Sequence, residues 1–295
     1  MSKPMKPSEL KALSIIAERA AADAAAFIRQ HNEGDIVVDR KKGMSSEASS
    51  VVTWVDLQCQ ALILERLQES RERYDIGLLT EELPDDGSRL TREYFWCVDP
   101  LDGTLAFTAR KPGYAVSIAL IDRAGVPVIG VVHEPITRQY MVAVQGQGVR
   151  STLQAPTEMS DTSDQLVCFL DQQMAVHPRY EALRTMLDTV AQEMHLSGVV
   201  YVSGSGAVLQ ACHVALHEHA VFFKIPKTQL GGGCIWDYAA TACFFGELAR
   251  PVSDLSGAPL HLNNPDTPFM NHCGVLYSSE QQITDHLIAF FESIH

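Results

Sequence analysis

Apolar residues recur at helical spacing near the start of the chain and again over residues 54–74. In the first stretch they run from Leu13 to Ile28, with Ser8 as the expected N-cap, and the second stretch ends in a charged tail. This spacing places the apolar side chains along one face of each helix. We predict two amphipathic helices, joined by a polar loop or hairpin over residues 39–52 that is a candidate for a functional role.

Short apolar runs follow between residues 76 and 145, several of them separated by turn residues. Runs of this length and spacing are typical of strands that are joined by hairpins. They predict a largely antiparallel sheet beneath the two helices. The chain then becomes polar and rich in turn residues over 146–165, which indicates a domain boundary near residue 155.

Strand-like and helix-like segments alternate after this boundary. Such alternation predicts a layered α/β arrangement. We therefore expect the α/β (α+β) class, with an N-terminal α+β domain over residues 1–155 and a smaller α/β domain over residues 156–295. The predicted strands of the second domain are 166–170, 199–205 and 220–225, and its predicted helices are 177–194, 206–218 and 235–248.

Composition and charge restrict the classes of partner. The 295 residues are 46% hydrophobic and 20% charged, and the formal net charge is −13. An acidic surface argues against nucleic-acid polymers and anionic membranes as main partners. No apolar run approaches the roughly 18 residues of a membrane span, and the N-terminal segment interleaves charges with apolar residues, unlike a signal peptide.

Cysteines and histidines give no pattern of a disulfide framework or a zinc site. The seven cysteines are scattered without paired spacing, which favours reduced thiols and hence a cytoplasmic location. His213, His217 and His219 lie close together but lack the H-E-x-x-H pattern and cysteines at zinc-finger spacing. We therefore expect a surface histidine cluster rather than a metal site.

Two aspartates stand three residues apart at the end of an apolar run. Pro100 restricts Asp99 to extended conformations and cannot donate to a ladder, so the strand is predicted to end there. Gly103 then permits a tight turn, and Thr104 presents a hydroxyl beside Asp99 and Asp102. Converging carboxylates repel each other unless a cation lies between them. Oxygen ligands of this kind suit Mg²⁺ or Mn²⁺.

Further acidic residues follow other apolar elements. Glu81 and Glu82 come directly after a strand-like run, Asp237 falls in the first turn of a predicted helix, and Asp56 lies near the start of another. Each of them alone is more typical of a helix cap or a turn. Together with the paired aspartates, they favour a functional site.

The combined pattern resembles the inositol monophosphatase superfamily over most of the chain. The resemblance is carried by Asp56, Thr-Glu-Glu at 80–82, Asp-Pro-Leu-Asp-Gly-Thr at 99–104 and Trp-Asp at 236–237, in this order. These enzymes are lithium-sensitive, Mg²⁺-dependent phosphomonoesterases. The resemblance implies a layered αβαβα sandwich, a small phosphorylated substrate and two or three Mg²⁺ ions, with Mn²⁺ as a substitute. The resemblance is also compatible with a homodimer.

The resemblance also implies a role for each matching residue. Thr104, held by Asp56, would orient the attacking water together with Glu81, and the backbone N–H groups of Gly103 and Thr104 would receive phosphate oxygens. Asp237 would also contact the substrate. The implied metal ligands are the carboxylates of Glu81, Asp99, Asp102 and Asp237 and the carbonyl oxygen of Leu101.

Within the superfamily, the motif is closer to 3′(2′),5′-bisphosphate nucleotidases than to animal inositol monophosphatases. The latter usually have isoleucine in the D-P-I-D motif and a glutamate six residues before the Trp-Asp tryptophan, where this chain has Leu230. Lys224 and Lys227, near the glycines at 231–233, could hold a second phosphate, with simple solvation of both lysines as the alternative.

The expected substrate is therefore 3′-phosphoadenosine 5′-phosphate. An inositol or sugar phosphate is the alternative, and a non-catalytic protein that binds metal or nucleotide is the alternative of another class. Gly204, Ser205 and Gly206 match the place where the family shapes its substrate pocket. Lys41 and Lys42 lie near the place of a lysine that approaches the metal site in related enzymes.

Overall fold

The computed structural model of the chain describes residues 4–32, 38–40, 51–155, 162–171, 174 and 176–293. Lys41 and Lys42 lie outside the described residues. The helices are α1 (Pro7–His31), α2 (Trp54–Tyr74), α3 (Ser88–Thr91), α4 (Thr104–Thr108), α5 (Tyr180–Glu193), α6 (Ala207–Leu216), α7 (Ile235–Glu247) and α8 (Gln281–Glu292).

The first sheet has six strands in chain order, and α1 and α2 pack together on one of its faces. Only the first pair is parallel; the other four pairs are antiparallel, as the hairpin spacing predicted. The strands are β3 (Gly77–Thr80), β4 (Tyr94–Asp102), β5 (Ala115–Asp122), β6 (Pro127–His133), β7 (Tyr140–Val144) and β8 (Val149–Ser151). A separate antiparallel pair precedes α2 and consists of β1 (Val38–Arg40) and β2 (Val51–Thr53); the rest of the loop or hairpin predicted over 39–52 lies outside the described residues.

The second sheet has the order β10-β9-β11-β13-β12. Its strands alternate their side chains between two cores, so that Phe222 packs towards the first sheet while Val221 and Phe223 pack on the opposite side. The strands are β9 (Leu166–Phe169), β10 (Val199–Val202), β11 (Ala220–Lys224), β12 (Val252–Ser253) and β13 (Val275–Ser278).

Two helices lie between the sheets and two cover the outside. Residues of α6 and α7 share one core with both sheets, whereas α5 and α8 pack on the outer face of the second sheet. With α1 and α2 on the first sheet, the layers read αβαβα, and the predicted sandwich is confirmed. The domain boundary near residue 155 stays a prediction, since the central core contains residues from both halves of the chain.

The N-cap prediction for α1 is wrong. The helix begins at Pro7 after Lys6, and the Lys6 backbone N–H donates to the Glu9 carboxylate (2.7 Å). Proline suits the first helical position because its missing N–H would have no partner there. In the described part of the chain, no helix is both long and apolar enough to cross a bilayer.

Candidate active site

Three carboxylates converge at the N-terminal end of α7. Asp99, Asp102 and Asp237 each offer one oxygen atom, and these three atoms all lie within 4.8 Å of one another. Asp99 and Asp102 are buried at 1% and 7% exposure, and Asp237 is half-buried. We call these three residues the acidic cluster. The structure thus brings together three of the predicted metal ligands.

The course of β4 explains why two aspartates three residues apart face the same way. Asp99 pairs with Ser117 of β5 and Asp102 pairs with Ala115, so three steps on β4 match two on its partner. The prediction that the strand ends at Asp99 is therefore wrong: pairing resumes at Asp102 after a bulge that accommodates Pro100, which has no N–H to donate. The extra residue turns both carboxylates to one face of the sheet.

Asp102 is also bound to the start of α6. Its Oδ2 atom accepts a hydrogen bond from the Val208 backbone N–H (2.9 Å). A Cβ atom at Gly206 would collide with this carboxylate, so a residue without a side chain is needed at that point. The Gly206 N–H in turn donates to the Gly113 carbonyl (2.8 Å). The predicted 204–206 turn therefore lies against the acidic cluster, through contacts with Val208 and Gly113 that the sequence did not indicate.

Asp237 is the third residue of α7, and its carboxylate accepts a hydrogen bond from the Cys234 backbone N–H before the helix. This capping interaction fixes the carboxylate and places it at the positive end of the helix dipole. The Ser117 hydroxyl donates to the Trp236 carbonyl (3.3 Å) and so connects α7 to the strand opposite Asp99.

Thr104 and Asp56 form the pair that the resemblance implied. The Thr104 hydroxyl lies 3.1 Å from Asp56 Oδ1 and 3.1 Å from the Leu101 carbonyl oxygen. Asp56 is fully buried as the third residue of α2, and its other oxygen accepts from the Thr53 N–H (2.8 Å) and the Thr53 hydroxyl. Gly103, the residue before α4, has a left-handed backbone (φ 88°), and Thr104 is the first residue of the helix.

Burial makes the negative charges of the site unfavourable. Desolvation is the main cause that raises the pKa of Asp56 to about 6, of Asp102 to about 7 and of Asp237 to about 8, and it raises that of Asp99 well above its usual range. The charge of Glu81 adds to all four shifts, so Glu81 lies near these four carboxylates.

The donor set fits a divalent cation. Every candidate ligand is an oxygen atom, which suits Mg²⁺ or Mn²⁺ better than softer metals. A cation between the carboxylates would remove the repulsion that raises their pKa values. Buried charges without such compensation are strongly unfavourable.

Lys224 lies close enough to the acidic cluster for its charge to act on two of the carboxylates, and Lys227 lies near Lys224. Lys224 Nζ is 2.6 Å from Asp171 Oδ2, and its charge lowers the pKa of Asp102 and Asp237. Lys227 is half-buried, and a Cβ atom at Gly232 would lie 2.7 Å from its Cε. The ion pair with Asp171 shows that Lys224 is not simply solvated. Asp171, which the sequence analysis did not single out, is the partner that fixes Lys224.

Leu230 stays a departure from the glutamate of animal inositol monophosphatases, and the choice of substrate that it suggested stays a prediction. Leu230 is 46% exposed, and Lys224 at the end of β11 is the side chain of this segment whose charge reaches the acidic cluster.

The predicted surface histidine cluster is wrong for one of its members. His213 is buried (7% exposed) against the ring of Phe169, with the ring centres 5.7 Å apart, because α6 is covered by a sheet on each side. His217 and His219 are half-buried. Within the described residues, the histidines belong to no group of three metal ligands.

Comparisons with known proteins agree with this architecture. A family model described as the inositol monophosphatase family matches residues 9–295. The 3′(2′),5′-bisphosphate nucleotidase CysQ of Salmonella typhimurium is 34% identical over 261 residues, which cover 81% of this chain and 93% of that protein. Inositol monophosphatase 2 of Solanum lycopersicum is 32% identical over 220 residues, which cover 72% of this chain and 77% of that protein. The structure of extragenic suppressor protein suhB from Bartonella henselae matches with a TM-score of 0.69 at 21% identity. The match covers 94% of this chain and 97% of that protein, and it supports the fold.

Proposed function

Because this chain belongs to the inositol monophosphatase family, we propose that it is a Mg²⁺-dependent phosphomonoesterase whose substrate is 3′-phosphoadenosine 5′-phosphate. The observation that carries the proposal is the buried acidic cluster, with the hydrogen-bonded pair of Thr104 and Asp56 beside it. The charge of Glu81 acts on Asp56 and Asp99, which supports a place for Glu81 beside the residues expected to bind metal and to orient water.

The metal ions would be held by the acidic cluster, Glu81 and the carbonyl oxygen of Leu101. Bound Mg²⁺ would neutralise the phosphate dianion, lower the pKa of the attacking water and stabilise the leaving oxygen. The chain itself supplies a buried site for this chemistry, in which electrostatic interactions are stronger than in water.

Thr104 orients the attacking water in this proposal. A hydroxyl carries one proton, so Thr104 can donate to either Asp56 or the Leu101 carbonyl, which are equally distant. Use of the Leu101 carbonyl as a ligand leaves Asp56 as the acceptor. The Thr104 oxygen can then accept a hydrogen bond from water, and Glu81 can take the proton of that water. The backbone N–H groups of Gly103 and Thr104 would receive phosphate oxygens.

The lysines support a substrate with two phosphates. Lys224 faces the acidic cluster and Lys227 lies next along the same segment, so a second anionic group could replace Asp171 as the partner of Lys224. Gly204, Ser205 and Gly206 would line the pocket. The similarity to a bisphosphate nucleotidase favours this substrate, and the similarity to an inositol monophosphatase keeps inositol phosphate as the second candidate.

The first test is phosphate release in Mg²⁺ from 3′-phosphoadenosine 5′-phosphate and inositol 1-phosphate in parallel. Preference for the nucleotide supports the proposal, and preference for inositol phosphate overturns the choice of substrate. Release from neither, together with Mg²⁺ binding by calorimetry, would favour a non-catalytic binding protein. The intact set of Asp56, Glu81 and Thr104 supports catalysis.

The second test separates the two phosphates. Lys224→Met should raise KM for 3′-phosphoadenosine 5′-phosphate by about tenfold or more, the value of a charged hydrogen bond, while KM for adenosine 3′-monophosphate changes little. Lys11→Met, an exposed position on α1, is the control and should change neither value. Equal increases in KM for both substrates in Lys224→Met would contradict the role of Lys224 in binding a second phosphate.

A further inference from the structure

Gln210 is a buried polar residue in an apolar helix. Its neighbours on α6 are mostly alanine, valine, leucine and cysteine, and Gln210 itself is only 3% exposed. The side-chain Nε2 donates a hydrogen bond to the Ser205 carbonyl oxygen (2.8 Å). The other end of the amide, Oε1, is buried and has no hydrogen-bond partner among the residues that the structure describes.

This arrangement is unfavourable for stability. A buried carbonyl without a partner loses its bonds to water and gains none in return, which outweighs the net gain from one ordinary hydrogen bond. The reversed amide would be worse, since it would bring Oε1 against the Ser205 carbonyl oxygen. An apolar side chain of similar length would avoid both problems, so stability does not account for a glutamine at this position.

The bond to Ser205 acts on the turn beside the acidic cluster. Side chains on a helix slope towards its N-terminus, which places the Gln210 amide beneath the 204–206 turn. The same turn is fixed on its other side by the bond from Gly206 to Gly113, and Gly206 packs against Asp102.

We propose that Gln210 is a positioning residue, which fixes the turn at residues 204–206 in the shape that the substrate requires and does so at a loss of stability. The inference rests on the proposed function, in which this turn lines the substrate pocket. Asp102 is bound by α6 itself through Val208, so the Gln210 amide acts on the substrate side of the site rather than on the metal side.

The variant Gln210→Met tests this, because it removes both amide ends and keeps the length of the side chain. We expect KM to rise about two- to tenfold, the equivalent of one hydrogen bond, with kcat and the midpoint of the Mg²⁺ titration within about twofold of wild type. The variant should melt no lower than wild type. Thr284→Val on α8, which removes a similarly buried hydroxyl and its bond to Glu280, is the control and should leave KM unchanged.

Hydrogen exchange gives a second measure that does not need activity. In Gln210→Met, the backbone N–H of Gly206 should exchange faster than in wild type, although the variant is as stable. A lower melting temperature with parallel losses of kcat and Mg²⁺ binding would show a structural role and overturn the proposal. Unchanged exchange would also overturn it. If the wild-type protein releases no phosphate, the proposed function fails, and the exchange measurement still decides the role of Gln210.

Discussion

The carboxylate of Asp102 accepts a hydrogen bond from the backbone N–H of Val208, which lies 106 positions further along the chain. This bond joins the end of β4 to the first turn of α6 at the acidic cluster. Gly206 permits the approach, because any Cβ atom there would collide with the Asp102 carboxylate. One side chain therefore serves both as a predicted metal ligand and as the link between a strand of the first sheet and a helix of the central layer.

Gly206→Ala should displace Asp102 and weaken Mg²⁺ binding by about tenfold or more, measured by calorimetric titration. The backbone of Gly206 (φ −62°) suits alanine, so the collision is the only new feature. Gly246→Ala is the matched control: this glycine lies in α7 with open space around it, and alanine should stabilise the helix by about 0.5–1 kcal/mol. Equal Mg²⁺ affinity in Gly206→Ala and wild type would contradict the steric argument.

Asp99→Asn should lower kcat by about a thousandfold or more, since a lost ligand charge costs several kcal/mol in the transition state. The metal-free variant should nevertheless be more stable than metal-free wild type. The reason is that burial and the charge of Glu81 raise the pKa of Asp99, so its ionised form opposes folding. Phosphate release and thermal melting measure the two effects. Asp164→Asn, at an exposed position, is the control and should change neither kcat nor the melting temperature. Near-normal turnover in Asp99→Asn would contradict the role of Asp99 as a metal ligand.

Much of the layering could be predicted because it depends on local patterns. The helical spacing in α1 and α2, the hairpin spacing of β4 to β8 and the alternation after residue 165 each follow from contacts along one element or between neighbours. The D-P-L-D-G-T motif was informative for a similar reason: two buried charges and a proline in six residues are difficult to explain without a cation.

Other features depend on distant residues and left no local signal. The bulge in β4 is defined by its pairing with β5, so nothing in the motif shows that the strand continues to Asp102. The partner of Lys224 is Asp171 on a different segment. His213 looks like a surface residue by type, and its burial follows from the second sheet covering α6. In each case the packing of the layers, rather than the local sequence, decided the environment.

Thr104→Val should lower kcat by about a hundredfold or more, since it removes the hydroxyl that we propose orients water and keeps the shape of the side chain. Thr104→Ser keeps the hydroxyl and should retain most of the activity. Neither change removes a metal ligand, so the Mg²⁺ dependence of both variants should match that of wild type. If Thr104→Val were as active as Thr104→Ser, the bond from Thr104 to Asp56 would have no part in the reaction.

Removal of Mg²⁺ should have a pH-dependent effect on stability. Burial raises the pKa of Asp102 to about 7 and of Asp237 to about 8 in the metal-free protein. Groups with a raised pKa stabilise the folded state at low pH, and this stabilisation is lost as the pH rises through 7 and 8. The metal-free protein should therefore melt at a lower temperature at pH 8 than at pH 6.

Mg²⁺ should raise the melting temperature more at pH 8, where the acidic cluster is ionised, than at pH 6, where protons compete for it. NaCl at matched ionic strength controls for screening of surface charges. An equal effect of Mg²⁺ at both pH values would show that the ion binds elsewhere.

Through His213, the stability of the folded state should depend on pH with the opposite sign. Burial, with a smaller effect from His217, lowers the pKa of His213 to about 4, whereas the unfolded chain has the ordinary value of 6.5. The unfolded state therefore binds the proton more tightly, and stability is lost as the pH falls from about 6.5 towards 4, by at most about 3 kcal/mol.

The test is urea unfolding at pH 7.5 and pH 5 with the protein saturated in Mg²⁺, compared between wild type and His213→Gln. The variant should lose less stability between the two pH values, and the contributions of groups that do not interact with His213 cancel in the comparison. His261→Gln, at an exposed position, should behave like wild type. If His213→Gln lost as much stability as wild type, protonation of the buried imidazole would not be the cause, and the acid sensitivity would have to come from groups outside α6.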